Sequence, residues 1–327
     1  MTFLALALAA FGSALGCWAY LALARRWQIL DRPNERSSHT APTPHGGGAP
    51  LLLAFALAVL VATPEGASWQ SGFVVLLVLA LFLMILGVLD DLRGLSVFLR
   101  FACYGACCLL AAWLILPGQG GANGVALLVL CAVCLLWSLN LYNFMDGIDG
   151  IAAIQCFLAC ASAGLLAFVG SGDQQYALYC ALLASAHLGF LVWNWPPARL
   201  FMGDAGSVPT GFLLAGLALL GQVSGVLPAA CWLILLAVFV TDASWTLCWR
   251  LWDGQRIFDA HRLHAYQRLS RHWQSHLTVD FGLVAINACW LFPLAWAAQA
   301  NPQWQLFLVI LAYLPLVVGM AKLRQLT

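Results

Sequence analysis

Residues 124–150 read GVALLVLCAVCLLWSLNLYNFMDGIDG, an uncharged run that ends in a cluster of polar groups. The first part, 124–142, is long and apolar enough to cross a bilayer core of about 30 Å, which takes about 20 helical residues. The last part, 140–150, contains two amides, two carboxylates and two glycines. Packing against lipid does not require such groups, so the stretch indicates a membrane protein with chemistry at the end of a spanning helix.

Apolar runs of this kind continue along the whole chain of 327 residues. Hydrophobic residues make up 63% and charged residues 8%, against about 25% charged in soluble domains. A spanning β-barrel would show alternating segments of about ten residues, whereas these runs are uniformly apolar and longer. The sequence therefore predicts an all-α, polytopic integral membrane helical bundle, one membrane-embedded domain over 1–327 with about 11 transmembrane helices. They are expected at 2–24, 49–63, 72–89, 97–117, 124–142, 150–170, 176–193, 207–222, 227–249, 277–298 and 305–321.

The positive charges indicate an orientation, because cytoplasmic loops retain Lys and Arg. If the eleven spans alternate, all 14 Lys and Arg residues fall on one side. We therefore expect a periplasmic N-terminus and a cytoplasmic C-terminus. The first span is expected to be retained, because Arg25 and Arg26 follow it, whereas the basic residues of a signal peptide precede its apolar region. The predicted cytoplasmic loops are 25–48, 90–96, 143–150, 194–207 and 250–276.

Three of these loops carry oxygen ligands suited to a hard cation such as Mg²⁺, which takes carboxylates and amides together with phosphates. Asp90 and Asp91 end the third span; adjacent carboxylates repel each other unless a cation is near, although a helix terminus in water is the alternative. After the fifth span, a spacing of three predicts one helical face, unless the stretch is only a polar loop. That face would carry Asn140, Asn143, Asp146 and Asp149.

Four further residues suit a metal or a phosphorylated ligand. Asp204, between two glycines, is either a metal ligand or the N-cap of the eighth span. Gly47 and Gly48 precede a predicted helix, where glycines let the backbone approach a ligand, although a solvated connector is the simpler interpretation. Phe201 is either an interfacial aromatic residue or a platform on which a base stacks.

The longest predicted loop, 250–276, is rich in His and Arg. On a helix, His261, His264 and Arg268 fall at i, i+3 and i+7, which aligns three donors for phosphate oxygens; a solvated amphipathic helix is the alternative. Asp242 lies inside the preceding apolar run. A carboxylate within the membrane is costly, so it is either functional or held by a hydrogen bond to a neighbouring helix.

Counting spans places the polar clusters at one face of the bundle. Two predicted spans separate each cluster from the next along the chain, from the Asp pair to the His-rich loop. All four clusters are therefore expected at the cytoplasmic face, as parts of one shared site.

Taken in order, these motifs resemble a known family. The Asp pair, Asn-x-x-Asn-x-x-Asp-Gly-x-Asp-Gly from Asn140, Phe-x-Gly-Asp-x-Gly-Ser from Phe201 and the late His-rich loop are similar to the polyprenyl-phosphate N-acetylhexosamine-1-phosphate transferases, the MraY and WecA group. The similarity runs from about Asp31 to Arg268. The loop sequence His-Arg-x-His-Ala-Tyr-Gln-Arg-Leu resembles the WbpL-like, O-antigen-initiating branch more than the His-x-His-His form.

The resemblance implies transfer of an N-acetylhexosamine 1-phosphate, of the GlcNAc, FucNAc or QuiNAc type, from a UDP-sugar to undecaprenyl phosphate. UMP is released, and O-antigen or another cell-envelope polysaccharide is initiated. Mg²⁺ is the implied cofactor, with Mn²⁺ as the alternative ion, and the bacterial inner membrane is the implied location. The partners would be the UDP-N-acetylhexosamine, undecaprenyl phosphate and the lipid bilayer; a homodimer stays open, and no nucleic acid is expected.

Residue roles follow from the same resemblance. Asp204 and Asn143 are expected to contact the metal, and Phe201 to stack on uracil. The remaining expected catalytic residues are Asp90 and Asp91 beside the lipid phosphate, Asp146 and Asp149 at the nucleotide and diphosphate end, and His261, Arg262 and His264 on phosphate oxygens. The remaining expected substrate-binding residues are Asn140, Gly47, Gly48 and Arg268.

Two other classes of protein share some of these features. A secondary transporter would place polar groups near the midplane of an internal repeat; no repeat is evident, and apart from Asp242 the acidic clusters lie at one face. A CDP-alcohol phosphotransferase would continue its Asp-Gly into an Ala-Arg pair, whereas Asp149-Gly150 is followed by Ile-Ala-Ala-Ile.

Overall fold

The computed structural model describes residues 2–32, 41–62, 69–118, 120–255 and 262–323. This part of the chain is helical except for its connections and one short antiparallel ribbon, in which β1 (Leu30–Asp31) pairs with β2 (Thr43–Pro44). The helices are α1 (Thr2–Arg26), α2 (Gly48–Val61), α3 (Ser71–Arg93), α4 (Val97–Ile115), α5 (Gly121–Met145), α6 (Ile151–Gly170), α7 (Gln174–Asn194), α8 (Asp204–Ser224), α9 (Ala229–Leu235), α10 (Ala237–Trp252), α11 (Ala265–Trp273), α12 (His276–Ile286), α13 (Phe292–Ala300) and α14 (Gln305–Leu323). The predicted all-α membrane bundle is confirmed.

Nine helical segments of the described chain are long and apolar enough to cross a membrane. They are α1, α3 to α8, α12 continued through a π-helical turn into α13, and α14 with the short 3₁₀ turn before it. Two of the eleven predicted spans differ. α2 has 14 residues, about 21 Å at 1.5 Å per residue, which is shorter than the bilayer core. The ninth is divided into α9 and α10, which are bent by 73°.

The break between α9 and α10 is supported by buried amide side chains. Where a helix breaks inside a bundle, its freed carbonyl groups need other donors. The Nε2 group of Gln155 donates to the carbonyl of Leu235 at 2.9 Å, and the Nδ2 group of Asn287 donates to Oε1 of Gln155 at 3.2 Å. These contacts join α6 and the π-helical turn (Asn287–Leu291) to the bend.

α8 is the most deeply buried of the nine segments and carries the start of the functional site. Glycines let α3 and α5 approach it closely, because small residues allow helix backbones to come together in lipid. A Cβ atom at Gly87 would lie 2.5 Å from the carbonyl oxygen of Asp204, and one at Gly211 would lie 2.6 Å from Cβ of Tyr142. The ends of α3 and α5 are therefore held against the first turns of α8.

Candidate active site

The ends of α3 and α5 and the starts of α4 and α8 meet at one end of the bundle, hereafter the site end. The two carboxylate oxygens of Asp91 accept the N–H groups of Asp204 and Ala205 at 3.2 and 3.3 Å. The hydroxyl of Ser207 donates to Oδ1 of Asn143 at 2.6 Å. Three polar clusters that are distant in sequence are thus joined by direct hydrogen bonds.

Asp90 is paired with Arg100, the fourth residue of α4. The Nη1 group of Arg100 lies 2.6 Å from Oδ2 of Asp90 and 3.4 Å from Oδ2 of Asp204. The adjacent carboxylates predicted a cation nearby, and this guanidinium is one such cation. Arg100 was not among the predicted site residues; its only signal in the sequence is an arginine at the start of an otherwise apolar run, close to a turn.

The turn between α3 and α4 places Arg100 beside Asp90. Gly94 ends α3 with a φ of +66°, a left-handed conformation that glycine adopts without steric cost. Its N–H donates to the carbonyl of Asp90 at 2.8 Å. Ser96 then caps α4, because its hydroxyl accepts the N–H of Leu99 at 3.3 Å. The chain reverses within three residues, so the first turn of α4 faces the last turn of α3.

The turn after α5 corrects the predicted helical face. α5 ends at Met145, so Asp146 and Asp149 lie in a turn and do not share a face with the two asparagines. The physical reason is the pair of glycines: Gly147 lies against the hydroxyl of Tyr266, and Gly150 has a φ of +82°. The positive φ of Gly150 is incompatible with a continued right-handed helix.

Asn140 is also used within its own helix. Its Nδ2 group donates to the carbonyl of Leu136 at 2.7 Å, one turn earlier in α5. The hydrogen bond directs the amide nitrogen of Asn140 to the backbone of its own helix. The predicted role of Asn140 in substrate binding stays a prediction.

Asp146 is the carboxylate with the fewest partners at the site end. Its side chain accepts no hydrogen bond from the residues that the structure describes. Burial, and then the carboxylates of Asp204, Asp91 and Asp149, raise the pKa of Asp146 to about 7. A carboxylate in this state favours a cation nearby, because a positive charge would stabilise its ionised form.

Asp149 is buried and already engaged. Its Oδ2 atom accepts the N–H of Ala198 at 3.0 Å and lies 3.1 Å from Nδ1 of His276. The N–H of the next residue, Gly150, donates to Oδ1 of Asn194 at 3.0 Å. Asp149 therefore connects the turn after α5 to the loop after α7 and to α12, and its predicted contact with the nucleotide stays a prediction.

Gly47 and Gly48 approach the protein's own backbone. Their N–H groups donate to the carbonyls of Phe201 and Met202, each at 2.9 Å. A Cβ atom on Gly48 would collide with the backbone of Gly206. Close approach was expected of these glycines, and the structure shows it to the start of α8 and the loop before it. Their predicted role in substrate binding stays a prediction.

Phe201 lies in the loop that these glycines hold. Its N–H donates to the carbonyl of Pro44 at 2.8 Å, and its side chain is partly exposed. The backbone of Phe201 is thus fixed on both sides while its ring keeps an exposed part. The predicted stacking on a base remains a prediction.

The His-rich segment differs from the predicted helix. α11 begins at Ala265, so His264 precedes it and the alignment of three donors along one helix is wrong. His261 lies outside the described residues. His264 is buried, with Nδ1 3.1 Å from Oδ1 of Asp242. This contact corresponds to the structural alternative for Asp242, a hydrogen bond to a neighbouring element.

The side chains of Arg268 and Arg271 contact the backbone before α11. The Nε group of Arg268 donates to the carbonyl of Leu263 at 3.0 Å, and the carbonyl of Arg262 accepts Nη2 of Arg271 at 3.0 Å. These bonds fold the residues before α11 back onto the helix. The predicted contacts of Arg262 and Arg268 with phosphate oxygens stay predictions.

His45 is a further member of the site end that the sequence analysis did not select. Its Nδ1 atom lies 3.9 Å from Oδ1 of Asp91, and its carbonyl accepts the hydroxyl of Tyr20 at 2.9 Å. Burial lowers the pKa of His45, although the carboxylates of Asp31 and Asp204 act in the opposite direction. The only signal in the sequence was a histidine next to the three glycines.

The donor set at the site end fits a hard cation. Asp204, Asn143 and Asp146 offer oxygen atoms, and Asp146 lacks a hydrogen-bond donor in the described structure. Among the described residues, no three His, Cys, Asp or Glu side chains form a group that could hold a metal ion. Mg²⁺ does not need such a group, because it usually takes one or two carboxylates and completes its shell with waters and substrate phosphates.

Helical spans that converge on clustered carboxylates, an amide and an arginine define a multi-pass membrane protein with a charged site at one end of the bundle. The chain belongs to glycosyl transferase family 4, whose model matches residues 73–222, and within it to the MraY and WecA group. The matched range contains α3 to α8 almost entirely and therefore most of the site end. The resemblance inferred from the motifs is confirmed.

The relatives of this chain differ in the sugar phosphate that their names describe. Over 316 residues the chain is 31% identical to a decaprenyl-phosphate N-acetylglucosaminephosphotransferase of Mycobacterium tuberculosis (strain CDC 1551 / Oshkosh), covering 85% of this chain and 77% of the relative. It is 30% identical over 314 residues to a phospho-N-acetylmuramoyl-pentapeptide-transferase of Heliobacterium modesticaldum (strain ATCC 51547 / Ice1), covering 86% and 93%. It is 27% identical over 261 residues to a "probable undecaprenyl-phosphate N-acetylglucosaminyl 1-phosphate transferase" of Bacillus subtilis (strain 168), covering 76% and 71%.

Proposed function

We propose that this protein transfers an N-acetylhexosamine 1-phosphate from a UDP-sugar to undecaprenyl phosphate at the cytoplasmic face of the bacterial inner membrane. The products are undecaprenyl-diphospho-sugar and UMP, and the reaction initiates O-antigen or another cell-envelope polysaccharide. The observation that carries the proposal is the joining of Asp91, Arg100 and Asn143 to the first turn of α8. The names of the relatives support a polyprenyl phosphate acceptor, and the motif resemblance supports the UDP-sugar.

In this reaction an oxygen of the lipid phosphate attacks the β-phosphorus of the UDP-sugar. The bond from that phosphorus to the bridging oxygen breaks, and its electron pair leaves with UMP. Both reactants are anionic, so the protein must bring them together and offset their charge; phosphoryl transfer otherwise asks little covalent help of a protein. When bound by Asp204 and Asn143, Mg²⁺ supplies positive charge to the phosphate oxygens.

The residues of this chain fix Asp204 in advance of substrate binding. Arg100 lies 3.4 Å from its carboxylate, and Asp91 accepts its backbone N–H at 3.2 Å. Groups held in the productive geometry do not have to reorganise during the reaction, which is where much of the rate enhancement of enzymes originates. The Asp pair therefore acts by positioning in this proposal.

Asp90 is not required as a general base. The second pKa of a phosphate monoester is about 6, so the acceptor is already mostly a dianion at neutral pH. The carboxylate of Asp90 is also occupied, because Arg100 and the N–H of Leu95 each lie 2.6 Å from it. Asp90 holds Arg100 where this guanidinium can reach Asp204.

We expect Asp90→Asn to lower the rate of UMP release by the same factor at every pH. An amide keeps an oxygen for Leu95 and removes the charge that holds Arg100, so orientation is lost and the protonation of the acceptor is unchanged. Rates of the variant and the wild type measured from pH 6 to pH 9 test this. A residual rate that recovered strongly at high pH would restore the general-base role.

We expect the apparent affinity for Mg²⁺ to rise with pH through the titration of Asp146. Its pKa of about 7 means that the carboxyl holds a proton below this pH in the metal-free protein, and a bound cation displaces that proton. Calorimetry at pH 6.5 in two buffers of different ionisation enthalpy measures the proton release. Asp146→Asn should reduce it and Asp253→Asn, in an exposed turn, should not. Equal affinities at pH 6 and pH 8 would contradict the expectation.

The proposed function is tested with the full chain purified in detergent. UDP-N-acetylhexosamines of the GlcNAc, GalNAc, FucNAc and QuiNAc types are supplied one at a time with undecaprenyl phosphate, with and without Mg²⁺. UMP release that requires both the lipid phosphate and the metal ion would support the proposal, and the preferred sugar identifies the donor. No UMP release with any donor, together with solute uptake by vesicles containing the protein, would favour a transporter instead.

A further inference from the structure

Asp242, a buried carboxylate on α10, holds the start of α11. Its Oδ1 atom accepts the N–H of Ala265 at 2.9 Å and the hydroxyl of Thr246 at 3.2 Å, and lies 3.1 Å from Nδ1 of His264. Its Oδ2 atom accepts the N–H of Tyr266 at 3.0 Å. Both oxygens accept hydrogen bonds, and the residue is 4% exposed. None of the roles proposed above requires this carboxylate.

The contact is a helix cap supplied from another helix. The first N–H groups of a helix have no partner within it and carry partial positive charge. A carboxylate placed there therefore accepts hydrogen bonds from these groups and is also attracted by their charge. His264 occupies the N-cap position of α11, and its side chain provides no capping hydrogen bond. Asp242, which lies 23 residues before Ala265, takes that place. The cap therefore ties α11 to α10.

α11 also contacts the end of α5 and the turn after it, which carry expected metal and nucleotide ligands. The hydroxyl of Tyr266 donates to the carbonyl of Phe144 at 2.9 Å, next to Asn143. Gly147 lies directly against the same hydroxyl, so no side chain fits there. The rings of His264 and Phe144 are nearly parallel, with centroids 6.5 Å apart and an interplanar angle of 25°.

α10 completes a closed set of contacts with α5. The ring of Phe239 packs against that of Tyr142, with centroids 5.3 Å apart. Thus α5 contacts α10 through Tyr142, α10 contacts α11 through Asp242, and α11 contacts the end of α5 through Tyr266. Three contacts among three elements leave each of them little freedom to shift alone.

We propose that Asp242 is a positioning residue for the transfer reaction. By capping α11 and holding Nδ1 of His264, it sets the segment 262–268 against the end of α5, which carries Asn143, and against the turn after it, which carries Asp146. The effect on turnover rests on the proposed function, whereas the contact itself does not. The engagement of both carboxylate oxygens argues against a free carboxylate that carries ions or protons through the bundle.

The test compares Asp242→Ala with a matched control, Asp173→Ala. Asp173 is also a carboxylate that caps a helix: it accepts the N–H of Tyr176 at 2.8 Å at the start of α7, at the end of the bundle opposite the site. Three measurements are made on each variant, and on Asp242→Asn, in the full chain. They are the hydrogen exchange of the amides in 262–273, the Tm, and kcat and KM for UMP release.

We expect Asp242→Ala to lose exchange protection at the start of α11 and to lower kcat/KM about 100-fold, the cost of a misplacement of roughly 1 Å. Asp242→Asn retains an oxygen for Ala265 and should fall between this variant and the wild type. Asp173→Ala should lower the Tm and leave kcat/KM unchanged, because its cap is far from the site end.

A double-mutant cycle with His264→Ala separates positioning from general destabilisation. If Asp242 acts through His264 and the start of α11, the double variant should lose little more activity than Asp242→Ala, because contacting residues are not additive. The positioning role would be overturned if the factors by which the two single variants lower kcat/KM multiplied in the double variant. It would also be overturned if Asp242→Ala kept the wild-type kcat/KM. Unchanged exchange in α11 of Asp242→Ala would overturn the contact itself, while a wild-type chain that releases no UMP would overturn the proposed function.

Discussion

Asp204→Ala is expected to lower the rate of UMP release about 1000-fold and to leave the Tm unchanged or higher. The loss of rate follows from the proposed role of Asp204 in holding the cation that offsets the charge on the reacting phosphates, for which losses of this order are typical. UMP release at saturating substrate and thermal unfolding in detergent measure the two effects on the same preparation.

The expected gain in stability has a separate cause. Asp204 lies near the carboxylates of Asp90, Asp91 and Asp146. Arg100 contacts the carboxylates of Asp90 and Asp204. Like charges at close range destabilise the protein when no metal is bound, so removing one carboxylate relieves that repulsion. Arg100 keeps its contact with Asp90, at 2.6 Å.

A control for Asp204→Ala is available at the end of α10. Asp253 is exposed and accepts Nε1 of Trp249 at 3.2 Å, so Asp253→Ala removes a carboxylate without touching the site end. It should preserve both activity and Tm. If Asp204→Ala retained the wild-type rate, or lost rate only in proportion to a fall in folded protein, the metal role of Asp204 would be wrong.

Asp91→Ala is expected to act in the opposite direction on stability while also impairing the reaction. Its two oxygens accept the N–H groups of Asp204 and Ala205, which have no partner within α8. Leaving buried donors without an acceptor costs about 1–3 kcal/mol each in the free energy of unfolding. The start of α8 would then shift, and we expect the rate to fall about 100-fold through the misplacement of Asp204.

The two alanine variants together distinguish a positioning carboxylate from a metal-binding one. Asp91→Ala should lower the Tm, whereas Asp204→Ala should not, and both should impair UMP release. Asp91→Asn retains one acceptor oxygen and should recover part of the Tm. A normal Tm for Asp91→Ala would show that the cap of α8 contributes nothing, and a normal rate would show that the cap is irrelevant to the reaction.

The sequence was sufficient for the fold class and for the convergence of the clusters. Long apolar runs specify helices in lipid, and counting spans between the Asp pair, Asn143 and Asp204 placed these residues at one end, where hydrogen bonds now join them. Both the fold class and the convergence of the clusters follow from the length and order of the apolar runs. The short α2 and the bent ninth span were not foreseen, because hydropathy does not report where a helix is interrupted by contacts from other helices.

The errors at the site end have a common origin in tertiary contacts. A spacing of three between Asn143 and Asp146 is compatible with a helix, but Gly147 has to accommodate the hydroxyl of Tyr266, and α5 ends before it. The start of α11 is likewise set by Asp242, from a different helix. Arg100 was missed because an ion pair between α3 and α4 depends on the turn that joins them.

The backbone contact between Gly48 and Gly206, with Gly87 on the other side of the first turn of α8, has a consequence for inhibitors aimed at this protein. Target enzymes often escape a drug by enlarging a side chain beneath the bound compound. The surface beneath Asp204 consists of main chain, and any larger residue at these glycines would displace the carboxylate that is proposed to hold the cation. A compound bound against this surface would therefore leave few resistance substitutions that preserve the proposed activity.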